Sequence, residues 1–422
     1  MKELIKKLPQ ELQDVVETAS SLAHTKGIRA YLVGGCVRDM ILGARNLDLD
    51  IVVEGNGLEF GVNLGEKLKA KVVTHKRFKT STVFAEDAIK IDITTSRQEH
   101  YPHPGSLPVV RDGLIDKDLF RRDFTINSLA VSINQDDFGK LLDVTSGKAD
   151  LAKGCVRVLH DLSFVDDPTR ILRAVRFEQR YGFKIEPKTL ALLKQAVKKN
   201  MLINTEPQRI RDELILMLKE KNAQKMLKRL AALTKLSFLH LELKISNHTW
   251  KLMHDTSAFV RWFESNYPGR RRLDHWLIYL MVLFKPLSMN CVYAFCRRFV
   301  LTKNEEKRLI ASKAVNPDLI RKINRKNLPP ALIYSLLEPL SYEVIILLKA
   351  ITKNKNAQKH ISDYFEIYND IRISVGGEDL RSLGLAPGPR YQDIFSKVLG
   401  AKLDGLVKTR EEELELIKKL MT

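Results

Sequence analysis

The sequence predicts an α+β protein in which an N-terminal mixed sheet is followed by a remainder that is all helical. Apolar and β-branched runs of strand length recur between residues 30 and 94. Beyond residue 185 nearly every segment instead carries apolar residues at helical spacing. The 422 residues are enough for two or more hydrophobic cores, because a single core usually stops growing near about 250 to 300 residues. We therefore expect a multi-domain protein.

Five strands are predicted in the N-terminal part, each a short run bounded by charged or small residues. They are Ala30–Val33, Leu49–Val53, Ala70–His75, Ser81–Ala85 and Ile89–Thr94. The stretch from Ser96 to Asp112 contains several prolines and glycines and no periodicity, which predicts a long loop beside the sheet. Long loops inside compact domains are often functional.

Helical periodicity begins near Asp116, and Pro168 is predicted to lie in the first turn of a helix within Asp166–Phe177. The later helices share apolar residues three and four apart. They are Thr189–Lys199, Glu206–Lys219, Asn222–Leu239, His275–Phe284, Ala331–Leu337, Tyr342–Lys349 and Ala357–Asp370.

The charge balance points to a polyanionic partner. A formal net charge of +19 favours nucleic acid, while an anionic membrane surface is less well supported because no basic amphipathic anchor is visible. No apolar run approaches the roughly 20 residues that span a bilayer, and the first residues alternate charged and apolar types instead of forming a signal peptide. We expect a cytoplasmic protein with no membrane partner. Cys36, Cys155, Cys291 and Cys296 are scattered and form no CxxC pair, so neither a zinc site nor a disulfide framework is predicted.

The stretch Tyr31–Glu54 combines a glycine pair with two carboxylates. An apolar run breaks at Gly34 and Gly35, where backbone N–H groups can approach a phosphate closely. Asp48 and Asp50 then project from the same face of a strand, an arrangement that a hard cation between them would stabilise. A lone Asp-x-Asp pair is often just a solvated strand end. Together with the glycines, the pair suggests nucleotidyl transfer.

A second group of polar residues precedes the apolar segment Leu129–Val131. Arg121 and Arg122 offer paired donors to triphosphate oxygens, while Asp123 and Asn127 can hold ribose hydroxyls. Asp123 could equally be the N-cap of a helix. The two interpretations are compatible.

A third group lies at the start of a predicted helix, where Asp167 and Arg170 are three residues apart and share a face. A carboxylate that accepts from an exocyclic amino group, beside a guanidinium that donates to a ring nitrogen, fits the Watson–Crick edge of C or A and rejects U or G. The plainer interpretation is a surface ion pair worth a few tenths of a kcal/mol. In the first interpretation, side chains select the base without a template.

These motifs, in this order, resemble the class II tRNA nucleotidyltransferases, a family that includes CCA-adding enzymes and bacterial poly(A) polymerases. The resemblance is strongest over residues 30 to 215 and continues to Gly377–Tyr391 and Leu403–Leu414. It implies a nucleotidyltransferase head over residues 1–145, a helical neck over 146–215, a helical body over 216–335 and a helical tail over 336–422, with body and tail binding tRNA.

The resemblance also implies a role for each matching residue. Asp48 and Asp50 would be the catalytic residues and would hold two Mg²⁺ ions, with Asp92 as a candidate third carboxylate. ATP and CTP would be the nucleotide substrates. The nucleotide-binding residues would be Gly34, Gly35, Arg38, Arg122, Asp123, Asn127, Asp167, Arg170, Arg173 and Arg176, and a loop that switches specificity between CTP and ATP would contain Arg97, Glu99 and Tyr101.

Three positions depart from the family pattern: Asp166 replaces a glutamate, Ser146 replaces the first of two hinge glycines, and Gln208 replaces a glutamate in the neck. They leave open whether the enzyme adds all of CCA, only CC or only A. A catalytically silent RNA-binding protein is the alternative from another class. Oligomeric state does not follow from the sequence.

Overall fold

The computed structural model describes residues 1–44, 48–75, 79–85 and 89–421. The chain divides into two compact units, Met1–Thr234 and Lys235–Thr422. The first contains a sheet and helices, and the second contains helices and, among its described residues, no strand. This confirms the predicted α+β class. The finer division at residues 145, 215 and 335 stays a prediction.

The first unit contains the strands of the described residues, numbered here in chain order. They are β1 Arg29–Val33, β2 Asp48–Glu54, β3 Lys71–His75, β4 Thr80–Phe84, β5 Lys90–Thr95, β6 Arg97–His100, β7 Val109–Asp112, β8 Ala130–Ser132, β9 Leu141–Leu142, β10 Cys155–Val156 and β11 Lys184–Ile185. All five predicted strands are confirmed with small shifts at their ends. Strands β8 to β11 were not predicted, because two or three residues are too short to show alternation.

Seven strands form the main sheet in the order β3-β4-β5-β2-β1-β8-β9. The central strand β2 pairs with β1 in antiparallel and with β5 in parallel orientation. Its residues Leu49, Ile51 and Val53 are buried, whereas Asp48 and Asp50 project from the other face. The mixed sheet therefore presents its acidic residues where a central strand begins.

The long loop predicted over residues 96–112 is wrong in part. Arg97–His100 and Val109–Asp112 pair as a two-stranded antiparallel ribbon, in which Arg97 faces Asp112 and His100 faces Val109. Proline and glycine are confined to the tip, residues 102–108, which is why the composition of the whole stretch suggested a loop.

The first unit also contains helices, numbered here in chain order. They are α1 Lys2–Ile5, α2 Gln10–Lys26, α3 Gly35–Leu42, α4 Gly57–Lys67, α5 Ile115–Phe120, α6 Gly147–Lys153, α7 Ser163–Asp166, α8 Arg170–Tyr181, α9 Pro187–Lys198, α10 Pro207–Leu218 and α11 Ala223–Thr234. Two predictions need correction. Pro168 precedes the N-cap Thr169 of α8 and so lies outside its first turn. Helix α11 ends at Thr234, because Lys235 and Leu236 adopt φ values of 56° and 55° that a helix cannot continue.

The second unit consists of α12 Asn247–Asn266, α13 His275–Phe284, α14 Met289–Arg298, α15 Lys303–Ala311, α16 Pro317–Ile323, α17 Pro330–Leu337, α18 Tyr342–Ile351, α19 Lys355–Glu366, α20 Gly377–Ser382, α21 Pro389–Leu403 and α22 Arg410–Met421. Rings of Phe263, Tyr342 and Phe365 pack edge to face or tilted at centroid distances of 4.9 to 5.5 Å. Among the described residues, no single helix is long and apolar enough to cross a membrane. Helices α17 and α18 reach that length only together, and they are bent by 111°.

The second unit also brings Cys291 close to His240 and Glu242, although Cys291 lies far from them in the sequence. Ligand atoms of His240, Glu242 and Cys291 lie within 4.8 Å of one another, and the thiol of Cys291 donates to a carboxylate oxygen of Glu242 at 3.5 Å. The scattered positions of the cysteines and the lack of a CxxC pair, on which the sequence prediction was based, do not reveal this grouping.

Candidate active site

A cavity of about 450 Å³ in the first unit brings most of the predicted nucleotide-binding residues together. Its lining contains the predicted residues Gly34, Gly35, Arg38, Asp50, Glu99, Arg122, Asp123, Asn127, Arg170, Arg173 and Arg176. Arg121, which the sequence predicted as a donor to triphosphate oxygens, also lines it, together with Phe177 and Arg180, which were not predicted as site residues. Asp48, Asp92, Arg97, Tyr101 and Asp167 are outside this lining.

Three carboxylates lie on the neighbouring strands β2 and β5, and one of them, Asp50, lines the cavity. The parallel register sets Asp50 directly beside Asp92, and Asp48 beside Lys90. Asp92 accepts hydrogen bonds from Thr82 Oγ1 at 2.7 Å and from Lys90 Nζ at 2.5 Å. Asp92 is thus a neighbour of the predicted catalytic residue Asp50, and it already has a cationic partner in Lys90.

Burial raises the pKa of Asp50 to about 6, and the negative charges of Asp92 and Asp48 add to the rise. Arg122 and Lys90 oppose it. A carboxylate destabilised by burial and by like charges is one that a divalent cation would stabilise, and carboxylate oxygens are the ligands that Mg²⁺ prefers. The residues present therefore fit a divalent metal ion.

The glycine pair also lines the cavity. Gly34 has φ 65° and ψ −124°, a conformation open to glycine, and directs the chain from β1 into α3. A β-carbon on Gly34 would lie 2.6 Å from Nη1 of Arg122. A β-carbon on Gly35 would be 3.8 Å from Asp50 Oδ2. Both glycines therefore leave room for charged groups that face the cavity.

Side chains from three segments form a continuous hydrogen-bonded chain along the cavity. Arg38 Nη1 donates to Asn127 Oδ1, and Asn127 Nδ2 donates to Asp123 Oδ1 at 2.9 Å. Arg173 donates to Asp123 Oδ2 from Nε at 2.8 Å. Burial opposes ionisation of Asp123, but Arg173, Asn127 and Arg170 outweigh it and lower its pKa to about 2. Asp123 is not a helix N-cap, because the short 3₁₀ helix Thr125–Asn127 begins after Phe124.

Helix α8 supplies cationic side chains at helical spacing. Arg173 and Arg176 both donate to Glu213 on α10, at 2.8 and 3.2 Å. Nε of Arg176 is buried and has no hydrogen-bond partner among the described residues. Guanidiniums of Arg38, Arg173 and Arg176 lie 5.3 to 5.5 Å from the ring centroid of Phe177. The helix thus adds positive charge that a nucleotide triphosphate can neutralise.

The proposed base-reading residues have different partners. Asp167 pairs with Arg209 Nη2 at 2.8 Å and accepts from Thr169 Oγ1 at 2.6 Å. Arg170 donates to Ser163 Oγ at 2.6 Å and to the Arg121 carbonyl at 2.9 Å. Among the described residues no ion pair joins Asp167 to Arg170, so the plain surface pair is wrong. Arg209, which also donates to the carbonyls of Gly105 and Ser106, was not predicted as a site residue.

The ribbon residues of the predicted specificity loop surround Glu99. Its Oε1 accepts from Arg97 and Arg121, and its Oε2 accepts from Tyr101 at 3.0 Å. Burial and the negative charge of Glu99 raise the pKa of Tyr101 well above its ordinary value. The carboxylate of Glu99 thereby connects the ribbon to Arg121.

The hinge glycine is closely packed. A β-carbon on Gly147 would lie 2.1 Å from the carbonyl oxygen of Thr125, and Gly147 N–H donates to Asp143 Oδ1 at 2.7 Å. Ser146 adopts φ 62° and ψ 31°, in the left-handed region where the family's usual glycine carries no strain. At the predicted hinge, Ser146 therefore has a backbone conformation that is typical of glycine.

Several basic residues of the second unit already have acidic partners. Arg271 Nη1 and Nη2 donate to Glu343 at 2.8 Å each, and Arg308 reaches the same carboxylate at 3.2 Å. Arg321 and Lys322 both pair with Asp318. These arginines and lysines are therefore held by carboxylates of the protein, which the formal net charge of +19 for the whole chain already counts.

Two family models match the chain. The Poly A polymerase head domain covers residues 30–157, and the probable RNA and SrmB-binding site of polymerase A covers residues 182–246. Both matches fall in the part of the chain that carries the motifs.

Two curated relatives extend over almost the whole chain. The A-adding tRNA nucleotidyltransferase of Halalkalibacterium halodurans is 32% identical over 96% of this chain and 91% of its own length. That of Geobacter sulfurreducens is 34% identical over 98% of this chain, which spans only 47% of that relative. The chain spans a similar 45% of the A-adding enzyme of Aquifex aeolicus.

Solved structures give the same result. The apo form II of a CCA-adding enzyme matches with a TM-score of 0.81 and 34% identity, over 99% of this chain and 98% of that one. The Thermotoga maritima CCA-adding enzyme complexed with tRNA-CCA matches with a TM-score of 0.74 and 33% identity, over 100% of this chain and 98% of that one. With motifs, fold and full-length relatives in agreement, the chain belongs to the class II tRNA nucleotidyltransferase family.

Proposed function

We propose that this protein transfers CMP, AMP or both to the 3′ end of tRNA without a nucleic-acid template. The observation that carries the proposal is the cavity itself, because a half-buried acidic residue, Asp50, and a set of arginines line the same space. A carboxylate-held metal beside guanidinium groups is the arrangement that phosphoryl chemistry on a nucleoside triphosphate needs. Relatives named for A addition and CCA addition support the same reaction.

We assign Asp48 and Asp50 as the ligands of two Mg²⁺ ions. Metal ions bound there would activate the tRNA 3′-hydroxyl and neutralise charge on the leaving pyrophosphate. Asp92, in register with Asp50 on β5, would keep the acidic edge in place through its bonds to Thr82 and Lys90.

Arg122 would contact the triphosphate, with Gly34 and Gly35 allowing close approach. Asn127 and Asp123 would lie against the ribose, and Asp123 would also orient Arg173. Arg38, Arg173 and Arg176 would add positive charge to the same wall. Positioning and charge neutralisation are the contributions that a protein makes to such a transfer.

Asp167 and Arg170 would select the base by pairing with the Watson–Crick edge of C or A. Arg209 holds Asp167, and Ser163 and the Arg121 carbonyl hold Arg170, so both readers are fixed by the protein and not by a template. Arg97, Glu99 and Tyr101 on the ribbon would take part in the change from CTP to ATP.

The remaining parts of the chain would bind tRNA. In this proposal the head over residues 1–145 performs the transfer, the neck over 146–215 reads the base, and the body over 216–335 and tail over 336–422 hold the tRNA. The cytoplasm, where tRNA is processed in bacteria, is the expected location.

The decisive experiment supplies three tRNAs, ending before CCA, after the first C and after CC, with labelled CTP and ATP. Extension of all three to CCA would identify a general CCA-adding enzyme. Extension of only the CC-ending tRNA would identify an A-adding enzyme, and extension only as far as CC would identify a CC-adding one. Binding of tRNA with no incorporation into any of them would refute the proposal and leave an RNA-binding protein.

A further inference from the structure

One buried carboxylate holds both arginines of the Arg121-Arg122 motif. Asp118 on α5 is fully buried, and its Oδ1 accepts from Arg121 Nε at 2.8 Å and Nη2 at 2.6 Å. Its Oδ2 accepts from Arg122 Nε at 3.2 Å and Nη2 at 2.8 Å. Each guanidinium therefore binds Asp118 through the same edge, the one formed by Nε and Nη2.

These hydrogen bonds decide which N–H groups of the two arginines remain available to a ligand. A guanidinium has five N–H groups in one plane, and a two-pronged bond through Nε and Nη2 fixes that plane and leaves Nη1 on the far side. Nη1 of Arg122 lies against Gly34 at the cavity, and Nη1 of Arg121 donates to Glu99 at 3.0 Å. Asp118 thus sets the direction in which both arginines present their other donors.

The same carboxylate also holds the ribbon. Asp118 Oδ1 accepts the backbone N–H of Arg97, the first residue of β6, at 3.3 Å. Two carboxylates, Asp118 and Glu99, share the three guanidiniums of Arg97, Arg121 and Arg122. The cluster therefore keeps an excess of positive charge, which is what an anionic ligand requires. An aliphatic side chain could fill the space but could not orient the arginines.

We propose that Asp118 is the positioning residue for the triphosphate, acting through Arg121 and Arg122. The inference rests on the proposed nucleotidyl transfer. It adds a residue outside the cavity lining to those that act on the nucleotide. It predicts that loss of Asp118 weakens the binding of CTP and the binding of ATP by the same factor. Phosphates are common to CTP and ATP, whereas a residue that acts on base reading would change their ratio.

The test compares D118N with E178Q. Glu178 is a matched control, because it is a buried carboxylate of the same unit that accepts from Nε and Nη2 of one arginine, Arg229, at 2.7 and 3.0 Å. Neither Glu178 nor Arg229 lines the cavity. KM and kcat are measured for CTP, ATP and tRNA, with thermal unfolding of each variant.

We expect D118N to raise KM for CTP and for ATP by the same factor, about 10- to 100-fold, the size that displaced charge-assisted bonds give. KM for tRNA should change less than about twofold, and E178Q should keep wild-type kinetics. In an R122A background, D118N should raise KM for CTP and ATP by a factor at least fivefold smaller than it does in the wild-type protein. The effects of two substitutions are not additive when one residue acts through the other.

A lowered melting temperature with unchanged KM values, or unequal effects on CTP and ATP, would overturn the proposal. Should D118N fail to fold, R122K provides the second test, since lysine keeps the charge but cannot make a two-pronged bond. Wild-type KM values in R122K would also refute it. Failure of the proposed function is distinguishable, because the wild-type protein would then incorporate no nucleotide at all.

Discussion

Gly34 and Arg122 fit together so closely that a β-carbon on the glycine would lie 2.6 Å from Nη1 of the arginine. We expect G34A to lower kcat/KM for the nucleotide about 100-fold, since a displacement of about 1 Å at a reacting site can have that effect. G43A separates displacement from backbone strain, because Gly43 has φ 67° but no atom of the described residues within 4 Å of its β-carbon position. Equal losses of activity in the two variants would contradict the role of Arg122.

The carboxylates of β2 should be essential for transfer and dispensable for binding tRNA. D48A and D50A should each abolish incorporation while tRNA affinity, measured by mobility shift, stays near wild type. D136N is the control, because Asp136 is an exposed carboxylate that pairs with Arg29 instead. Full activity in either β2 variant would refute the metal assignment.

Base selection should depend on Arg209 as well as on Asp167. D167A, R170A and R209Q should each relax the preference for CTP and ATP over UTP and GTP, on the order of tenfold for R209Q, because losing a charge-assisted bond lets Asp167 rotate. R211Q on the same helix is the control, since Arg211 pairs with its neighbour Asp212. Competition assays with all four nucleotides measure the ratio, and unchanged selectivity in all three variants would exclude side-chain base reading.

Asp123 should contribute to stability in a pH-dependent way. Its folded-state pKa of about 2 is below the ordinary value, so its contribution is present above about pH 4 and is lost as the pH falls toward 2. The shift corresponds to about 2 kcal/mol, and D123N should lower the free energy of unfolding by roughly that amount at pH 7 but little at pH 2. D14N, at an exposed position on α2, should leave the acid dependence unchanged. A D123N difference that is constant with pH would contradict the ion pair with Arg173.

At the predicted hinge, glycine should be tolerated in place of Ser146, whereas any side chain in place of the hydrogen of Gly147 should be destabilising. G147A should destabilise the protein by about 3 kcal/mol, because its β-carbon would meet the Thr125 carbonyl oxygen at 2.1 Å. S146G should change stability by less than about 1 kcal/mol, since relief of the left-handed conformation offsets the greater freedom of glycine in the unfolded chain. Thermal unfolding of both variants checks this order, and a stable G147A would contradict the close packing.

Local patterns predicted much of this molecule. The strand that carries Asp48 and Asp50 followed from alternation, and the glycine break at Gly34 followed from composition, because both depend on neighbouring residues. The partners of Asp167 did not follow, since Arg209 lies on another helix and only tertiary packing brings the two together. Asp118 was missed for a similar reason: a carboxylate three and four residues before two arginines reads as an ordinary helical pair, and its burial becomes visible only in the fold.

The parallel pairing that sets Asp50 beside Asp92 also limits how this chain can change. Side chains alternate along a strand, so a slip of β5 by a single residue would turn Asp92 into the core and present Ile91 or Ile93 to the acidic edge. Insertions or deletions before β5 are therefore tolerable only where they leave the strand register unchanged. The register of the sheet thus determines which carboxylates are neighbours. In a screen of length variants between β4 and β5, we expect activity only where the original strand alignment is kept.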